Sequence, residues 1–202
     1  MNETETTAAT PGKTNAEFRP VLRYYHANSK GTGSAIEFEL HPAHGRTSGS
    51  VFATIARQKT TGAVNSGEQT FPTFDWQDKA CVKLGLPDIC EVLQVFRGVQ
   101  ESIADGKGLF HRSAAASTSI KLSHQLEPRP GYLLEIWRRP ASGEPWSARI
   151  LFSPTEALGL SLALEQSMGV IAFGLPKVIP RATSSVGLDA AGSMDDDLRA
   201  VL

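Results

Sequence analysis

The chain has 202 residues, of which 41% are hydrophobic and 20% are charged. These values are typical of a soluble globular protein with its own core, and they exclude a fibrous or largely disordered chain. No stretch reaches the roughly 18 to 20 uncharged apolar residues that a membrane-spanning helix needs, so no membrane partner is expected.

Acidic residues are concentrated at the two ends of the chain. Seven of the 21 acidic residues lie outside residues 18–182, whereas two of the 20 basic residues do. The body is therefore modestly basic despite a formal net charge of −1, which is compatible with phosphate binding without requiring it. We predict one domain over residues 18–175, a disordered N-terminal tail over residues 1–17 and a flexible acidic C-terminal tail over residues 176–202.

Both the N-terminal residues and the cysteines indicate a cytoplasmic protein, nucleoid-associated if its source is bacterial. The first 17 residues lack the apolar centre of a secretory signal and the arginines of a transit peptide. Cys81 and Cys90 are too few for a disulfide framework, and their apolar surroundings predict reduced, packed thiols. The acidic residues 195–197 loosely resemble acidic tips that recruit protein partners, but a solubilising tail explains them equally well.

Alternating hydrophobicity predicts four strands in the first half of the chain. The stretch between the third and fourth strands is rich in Gly, Asn and Ser and is expected to be a loop. An amphipathic helix follows, with Asp88 as its N-cap and apolar positions from Ile89 to Val99. The strands are predicted over residues 21–27, 36–40, 51–59 and 71–84.

The second half repeats that order, with strands predicted over residues 109–112, 117–126, 132–139 and 146–152. Ser153, Pro154 and Glu156 then supply an N-cap, a proline at the first helical position and a capping-box carboxylate. This helix is expected to end at about Phe173. The sequence therefore predicts an α+β fold built from a duplicated ββββα unit.

The two predicted helices differ in how much of their surface is apolar. The first has a polar face that carries Glu91, Gln94, Arg97 and Glu101, whereas the second is apolar nearly all round. A helix of the second kind must be covered on more than one side. Eight short strands of one subunit cover only one side, so we infer that a neighbouring subunit covers the rest.

Five short motifs follow one another along the chain. Residues 30–35 are Lys-Gly-Thr-Gly-Ser-Ala, residues 74–79 are Phe-Asp-Trp-Gln-Asp-Lys, and Phe110-His111 opens the second half. Residues 119–122 are Ser-Ile-Lys-Leu, and Gly131-Tyr132 begins the next strand. Over roughly residues 21–173 this order and spacing resemble the Whirly family of single-stranded DNA-binding proteins, which carry Lys-Gly-Lys where this chain has Lys30, Gly31 and Thr32.

The resemblance implies two packed, antiparallel four-stranded sheets and a homotetramer with its helices at the centre. Single-stranded DNA would lie along the sheets between subunits. We therefore expect a single-stranded DNA-binding protein with little sequence preference, acting in DNA protection, replication, repair or transfer. Two alternatives stay open: an RNA-binding or annealing factor on the same fold, and a protein-interaction scaffold that binds no nucleic acid.

Sequence-tolerant binding of single strands needs aromatic rings for the bases and cations along the phosphate backbone. Trp137 lies on the more polar face of its strand and is the best candidate for an exposed ring, although an apolar neighbour on that face favours half-burial. Tyr25 and Phe110 stand near strand ends and are further candidates. Trp76 and Trp146 share strand parity with core residues and are expected to pack inside.

The candidate cations lie in a turn and on polar strand faces. Lys30 sits in a Gly-rich turn, where a phosphate can approach with little steric hindrance. For the other cations, the alternative interpretation is a solvated strand face that binds no ligand. They are Arg57, Lys59, Lys79, Lys83, Lys121 and Arg139.

Enzymatic chemistry finds no support in the sequence. There is no Gly-x-Ser-x-Gly, Walker loop or dinucleotide fingerprint. His41 and His44 have a spacing compatible with a metal, but no Cys, Asp or Glu nearby clearly completes a ligand set. We therefore expect no catalytic residues, no metal and no cofactor, and predict that the protein is not an enzyme.

Overall fold

The computed structural model describes residues 20–65 and 68–175. The predicted tails over residues 1–17 and 176–202 lie outside the described residues. The helices are α1 (Leu86–Phe96) and α2 (Pro154–Phe173). The strands are β1 (Val21–His26), β2 (Ser34–His41), β3 (Ser50–Thr60), β4 (Ala63–Asn65), β5 (Glu68–Thr70), β6 (Thr73–Leu84), β7 (Leu109–Arg112), β8 (Ala116–Gln125), β9 (Gly131–Pro140) and β10 (Trp146–Phe152).

Two antiparallel four-stranded sheets form the body of the fold. The first has the strand order β1-β2-β3-β6 and the second the order β10-β9-β8-β7. Helix α1 follows the last strand of the first sheet, and α2 follows the last strand of the second. The predicted α+β fold, with two sheets and a helix after each, is confirmed. None of the helices in the described part of the chain is long and apolar enough to cross a membrane.

The first half departs from the prediction in two places. The expected loop between its third and fourth strands contains a small hairpin, in which β4 pairs with β5. Helix α1 begins after Gly85, with Asp88 at the third helical position rather than at the N-cap. It ends at Phe96, because Gly98 adopts a positive φ of 69° that terminates a helix, and the expected apolar position Val99 is 69% exposed.

The core lies between the two sheets and under the two helices. Side chains alternate across a strand, so Ile36, Ile55 and Ala80 share the inner face of the first sheet in cross-strand register. All three are fully buried. Ile120 and Ile136 occupy the corresponding face of the second sheet. The helices add further buried residues: Ile89, Val92, Leu93 and Val95 from α1 and Ala157, Leu160, Ser161, Leu164 and Ile171 from α2.

Each helix begins beside the first strand of the opposite half. The Asp88 carboxylate at the start of α1 lies 3.6 Å from His111 Nε2 of β7. The Glu156 carboxylate at the start of α2 accepts the Ser153 backbone N–H at 2.8 Å and lies 2.8 Å from His26 Nε2 of β1. The duplicated halves are therefore tied together at both helix N-termini, where a negative charge also favours the helix dipole.

The hydrogen bonds at the start of α2 change the acidity of Glu156. Partial burial raises the pKa of its carboxyl group, but hydrogen bonds from Ser153 and His26, with the charge of His26, outweigh the burial. The pKa of Glu156 in the folded chain consequently lies below its usual range. A carboxylate of this kind stabilises the fold above its ordinary pKa, and the stabilisation disappears as the pH falls through the lower, folded-state pKa.

We predict that Glu156→Gln lowers the free energy of unfolding by about 1 kcal/mol at neutral pH, since the amide still fills the capping position but loses its charge. The difference from the wild type should shrink as the pH falls below the ordinary glutamate range. Urea unfolding followed by circular dichroism at several pH values measures it. Glu144→Gln, on an exposed loop, is the control. A difference that stays constant down to acid pH would contradict the role given to Glu156.

Candidate nucleic-acid interface

A groove crosses the junction of the two sheets. Its central part, of about 460 Å³, lies between the Gly-rich turn with Arg57 on one side and Trp137 with Arg149 on the other. Trp137 also lines the next depression, of about 390 Å³, together with Phe110 and Arg139. Arg149 lines a third, of about 460 Å³, which also contacts Arg129. Because neighbouring depressions share residues, they form one continuous surface, called here the junction groove.

The outer face of the second sheet places aromatic rings between two lines of cations. Phe110, Ser119, Trp137 and Ser147 lie in cross-strand register across β7, β8, β9 and β10. Phe110 is 68% exposed and Trp137 is 36% exposed. The two rings are two strand spacings apart, about 10 Å.

Cations occupy the rows on both sides of these rings. Lys121 and Arg149 belong to the row on one side, each in register with Glu135 between them. Arg112 and Arg139 belong to the row on the other side, in register with Ser117. The Lys121 amine lies 5.7 Å from the centre of the Trp137 ring. Positive charge therefore lies on both sides of the aromatic rings, with the Glu135 carboxylate between the two cations of one row.

One buried tryptophan joins the two sheets beneath the groove. Trp146 is 4% exposed, and its indole N–H donates to the Asp78 carboxylate of β6 at 2.9 Å. The same carboxylate pairs with Arg138 at 3.2 Å. The guanidinium groups of Arg138 and Arg57 lie 5.5 and 4.8 Å from the centre of the Trp146 ring. We call this set, Asp78, Arg138, Trp146 and Arg57, the inter-sheet contact.

The inter-sheet contact also fixes the direction of one groove cation. Arg57 Nε donates to the Ser147 backbone carbonyl at 2.8 Å, so the side chain reaches from β3 across to β10. Its position is therefore set by both sheets at once. Neither half of the chain by itself would hold Arg57 at the groove wall.

The Gly-rich turn at the groove wall is held by two amide side chains. Asn28 Oδ1 accepts the backbone N–H of Lys30 at 3.0 Å. Gln58, which is buried, accepts the N–H of Asn28 at 2.8 Å and that of Gly33 at 3.1 Å. A Cβ atom at Gly33 would collide with the His26 backbone carbonyl oxygen and also with the Gln58 amide oxygen, so glycine is required there. The turn is consequently rigid, with the exposed Lys30 at its tip.

The structure brings six of the ten predicted residues to this surface. Five of them lie along the groove or its flanking rows, and Lys30 lies at the tip of the adjoining turn. The five are Arg57, Phe110, Lys121, Trp137 and Arg139.

The other four predicted residues lie elsewhere and line none of the three depressions. Tyr25, Lys79 and Lys83 project from the outer face of the first sheet, where the Tyr25 ring lies 5.6 Å from the Phe74 ring. Lys59 is exposed near the end of β3. Their predicted part in binding remains a separate hypothesis.

Several polar residues of the groove region were not among the sequence candidates. Arg129, Glu135 and Arg149 from the second half of the chain meet Gln58 from the first half there because the two sheets pack together. Strand parity places Arg149 and Ser147 on one face of β10. This is only a weak indication of a binding site, because many strands carry two polar residues on their outer face. For Gln58 there is no local signal, since irregular pairing between β3 and β6 on both sides of it changes the register.

The sequence also predicted how deeply two tryptophans and the cysteines are buried. Trp146 is buried as expected, whereas Trp76 is only half-buried. The prediction of packed cysteines is wrong: Cys81 and Cys90 are both exposed, because Cys81 shares the outer face of β6 with Lys79 and Lys83. No group of three or more metal ligands occurs within residues 20–65 and 68–175.

Comparison with solved structures shows which fold this is. The crystal structure of WHY1 from Arabidopsis thaliana matches with a TM-score of 0.60 and 14% identity, over 79% of this chain and 89% of that one. The crystal structure of WHY3 from Arabidopsis thaliana matches with a TM-score of 0.58 and 15% identity, over 78% and 90%. The fold is therefore Whirly-like. No protein-family model matches the sequence, and no curated protein matches it significantly.

We predict that Asp78→Ala lowers the free energy of unfolding by about 1 to 3 kcal/mol, because the buried Trp146 N–H loses its acceptor. Urea unfolding measures the loss, and near-ultraviolet circular dichroism reports on the Trp146 environment. Glu144→Ala, on an exposed loop, removes an acidic side chain without touching the inter-sheet contact. A loss for Asp78→Ala no larger than for this control would show that the contact does not hold the sheets together.

Proposed function

We propose that the protein binds single-stranded DNA along the junction groove, with little sequence preference over most of its length. The observation that carries this proposal is the row with Phe110 and Trp137 between two rows of cations. Bases stack on aromatic faces whatever their identity, at about 1 to 3 kcal/mol per base. Two rings therefore contribute more binding free energy than any single phosphate contact. The Whirly-like fold and the motifs of that family support the same function.

The free cations of the groove suit a phosphate backbone. Within residues 20–65 and 68–175, the side chains of Arg129, Arg139 and Arg149 form no ion pair. Their charge is available to a ligand, whereas that of Arg138 is shared with Asp78. Binding to several phosphates releases condensed counterions, and the affinity must then fall as salt rises.

Nothing in this chemistry requires catalysis, and we propose a binding protein that protects or organises strands in replication, repair or transfer. It would work in the cytoplasm, with its acidic C-terminal tail recruiting a protein partner. RNA is the second candidate ligand, since stacking and cations serve both nucleic acids and no short motif identifies 2′-hydroxyl recognition. Competition between matched DNA and RNA strands separates the two. A protein-interaction scaffold would bind neither.

Part of the apolar surface of α2 is left uncovered within the subunit. Leu160 and Leu164 point into the core, but Leu158 and Leu162 are 60% and 51% exposed. Phe173 at the helix end is also exposed. Large exposed apolar patches mark contact surfaces. We therefore include in the proposal a homotetramer in which α2 packs against α2 of other copies, extending the binding surface across subunits.

The first test measures binding of fluorescently labelled oligothymidine by anisotropy over a series of salt concentrations. We predict a steep linear fall of the logarithm of affinity with the logarithm of salt concentration. Trp137→Ala should weaken binding by about 1 to 3 kcal/mol at every salt concentration, because one stacking platform is removed.

Two controls make this test specific. Phe71→Ala removes a ring that is more exposed than Trp137, at 72% against 36%, and lies outside the groove, so it should leave affinity unchanged. Thermal unfolding of each variant shows that the fold is retained. No binding of oligothymidine at low salt would end the proposal, and a flat salt response would reject the cation rows as the phosphate site.

The second test concerns assembly. We predict that the wild type has a native mass of about four times 21.7 kDa, and that Leu162→Glu dissociates it, because a charge cannot be buried unpaired in an apolar contact. Light scattering after gel filtration measures both masses. Leu126→Glu, on an exposed loop, is the matched control and should keep the wild-type mass. A monomeric wild type would rule out the α2 interface.

A further inference from the structure

One carboxylate stands in the middle of the cationic groove. Glu135 lies on β9 two residues before Trp137, on the same face of the strand and lining the same depression. Residues two apart on a strand are about 7 Å apart. A base stacked on Trp137 would therefore have one of its edges close to the Glu135 carboxylate.

The carboxylate has no partner of its own in the described part of the chain. Lys121 and Arg149 are its cross-strand neighbours, yet Glu135 forms no ion pair or hydrogen bond within residues 20–65 and 68–175. The Lys121 amine lies over the Trp137 ring instead. A negative charge here repels phosphate, so the site is unsuited to the backbone of a nucleic acid. It suits a group that donates hydrogen bonds.

We propose that Glu135 selects guanine for the position stacked on Trp137. The inference rests on the proposed function and adds one base-reading position to an otherwise sequence-tolerant groove. An ionised carboxylate only accepts hydrogen bonds. Guanine offers it two adjacent donors, N1–H and the N2 amino group, which match its two oxygens. Both bonds are charge-assisted and hence stronger than neutral ones.

The other bases fit this carboxylate less well. Thymine and uracil carry their one N–H donor between two carbonyl oxygens, which the carboxylate repels. Cytosine and adenine carry one amino group beside a ring nitrogen that is an acceptor. Each therefore offers one hydrogen bond and at least one repulsive contact. Recognition of base edges in single strands works through such donor and acceptor patterns.

The test compares short labelled oligothymidines that carry one central guanine, inosine or thymine. Inosine differs from guanine only by the missing N2 amino group, and one guanine in a thymine strand cannot form a quadruplex. A short strand is free to shift its register until its preferred base reaches Trp137. We expect the wild type to bind the guanine strand about tenfold more tightly than the inosine strand, the size of effect that one good bidentate contact provides.

Glu135→Gln should reduce this ratio several-fold while binding of the all-thymine strand is retained or strengthened, because a repulsive charge is gone. Glu101→Gln removes the same charge from an exposed site after α1 and should keep the wild-type ratio. Equal affinity of the wild type for guanine and inosine strands, with tight binding of both, would overturn the guanine site alone. Failure to bind any of the strands would overturn the proposed function and this inference together.

Discussion

The contact of Trp146 with Asp78, Arg138 and Arg57 is the constraint on which the rest of the structure depends. Two sheets that share a core are free to slide or twist on apolar side chains alone, because apolar packing is not directional. A buried indole N–H that must find an acceptor removes that freedom, since leaving it unpaired costs about 1 to 3 kcal/mol. Asp78 supplies the acceptor and is itself paired with Arg138. This contact joins the sheets beneath the junction groove, and the hydrogen bond from Ser34 to the Arg149 carbonyl joins them at the groove wall.

The groove follows from that arrangement together with strand parity. Parity puts Phe110 and Trp137 on the outer face of the second sheet, and the pairing of four strands puts cations on each side of them. The first sheet adds the Gly-rich turn and Arg57, which hydrogen bonds between the sheets, including those of Arg57 and Ser34 with β10, hold near the second sheet. Rings, cations and the Glu135 carboxylate then face the same surface. The combination suits stacked bases with a phosphate backbone beside them, and in the proposed complex the carboxylate would lie beside a base edge.

The duplication of the ββββα unit has a consequence for how the two halves are joined. Each helix N-terminus carries a carboxylate that contacts a histidine from the first strand of the opposite half. Neither half completes its own helix start with its own strand. Helix α2 differs from α1 in that one side of it packs on the core while another side exposes leucines. That exposed side is the surface on which the proposed assembly rests.

The sequence by itself determined the features that depend on interactions between residues close together in the chain. Alternation located the eight main strands to within a few residues, Ser153 and Glu156 fixed the start of α2, and parity alone turned Trp137 outward and Trp146 inward. Tertiary structure decided the rest. Parity separates two faces of a strand but does not say which face is covered, so Cys81 was expected to be packed and is exposed. The irregular pairing beside Gln58 depends on strands whose paired residues are roughly 15 positions apart in the chain. The meeting of Arg57, Glu135 and Arg149 depends on contacts between the two sheets, whose residues are 90 to 115 positions apart. No local pattern encodes such long-range register, because it is set by the packing of whole sheets against each other.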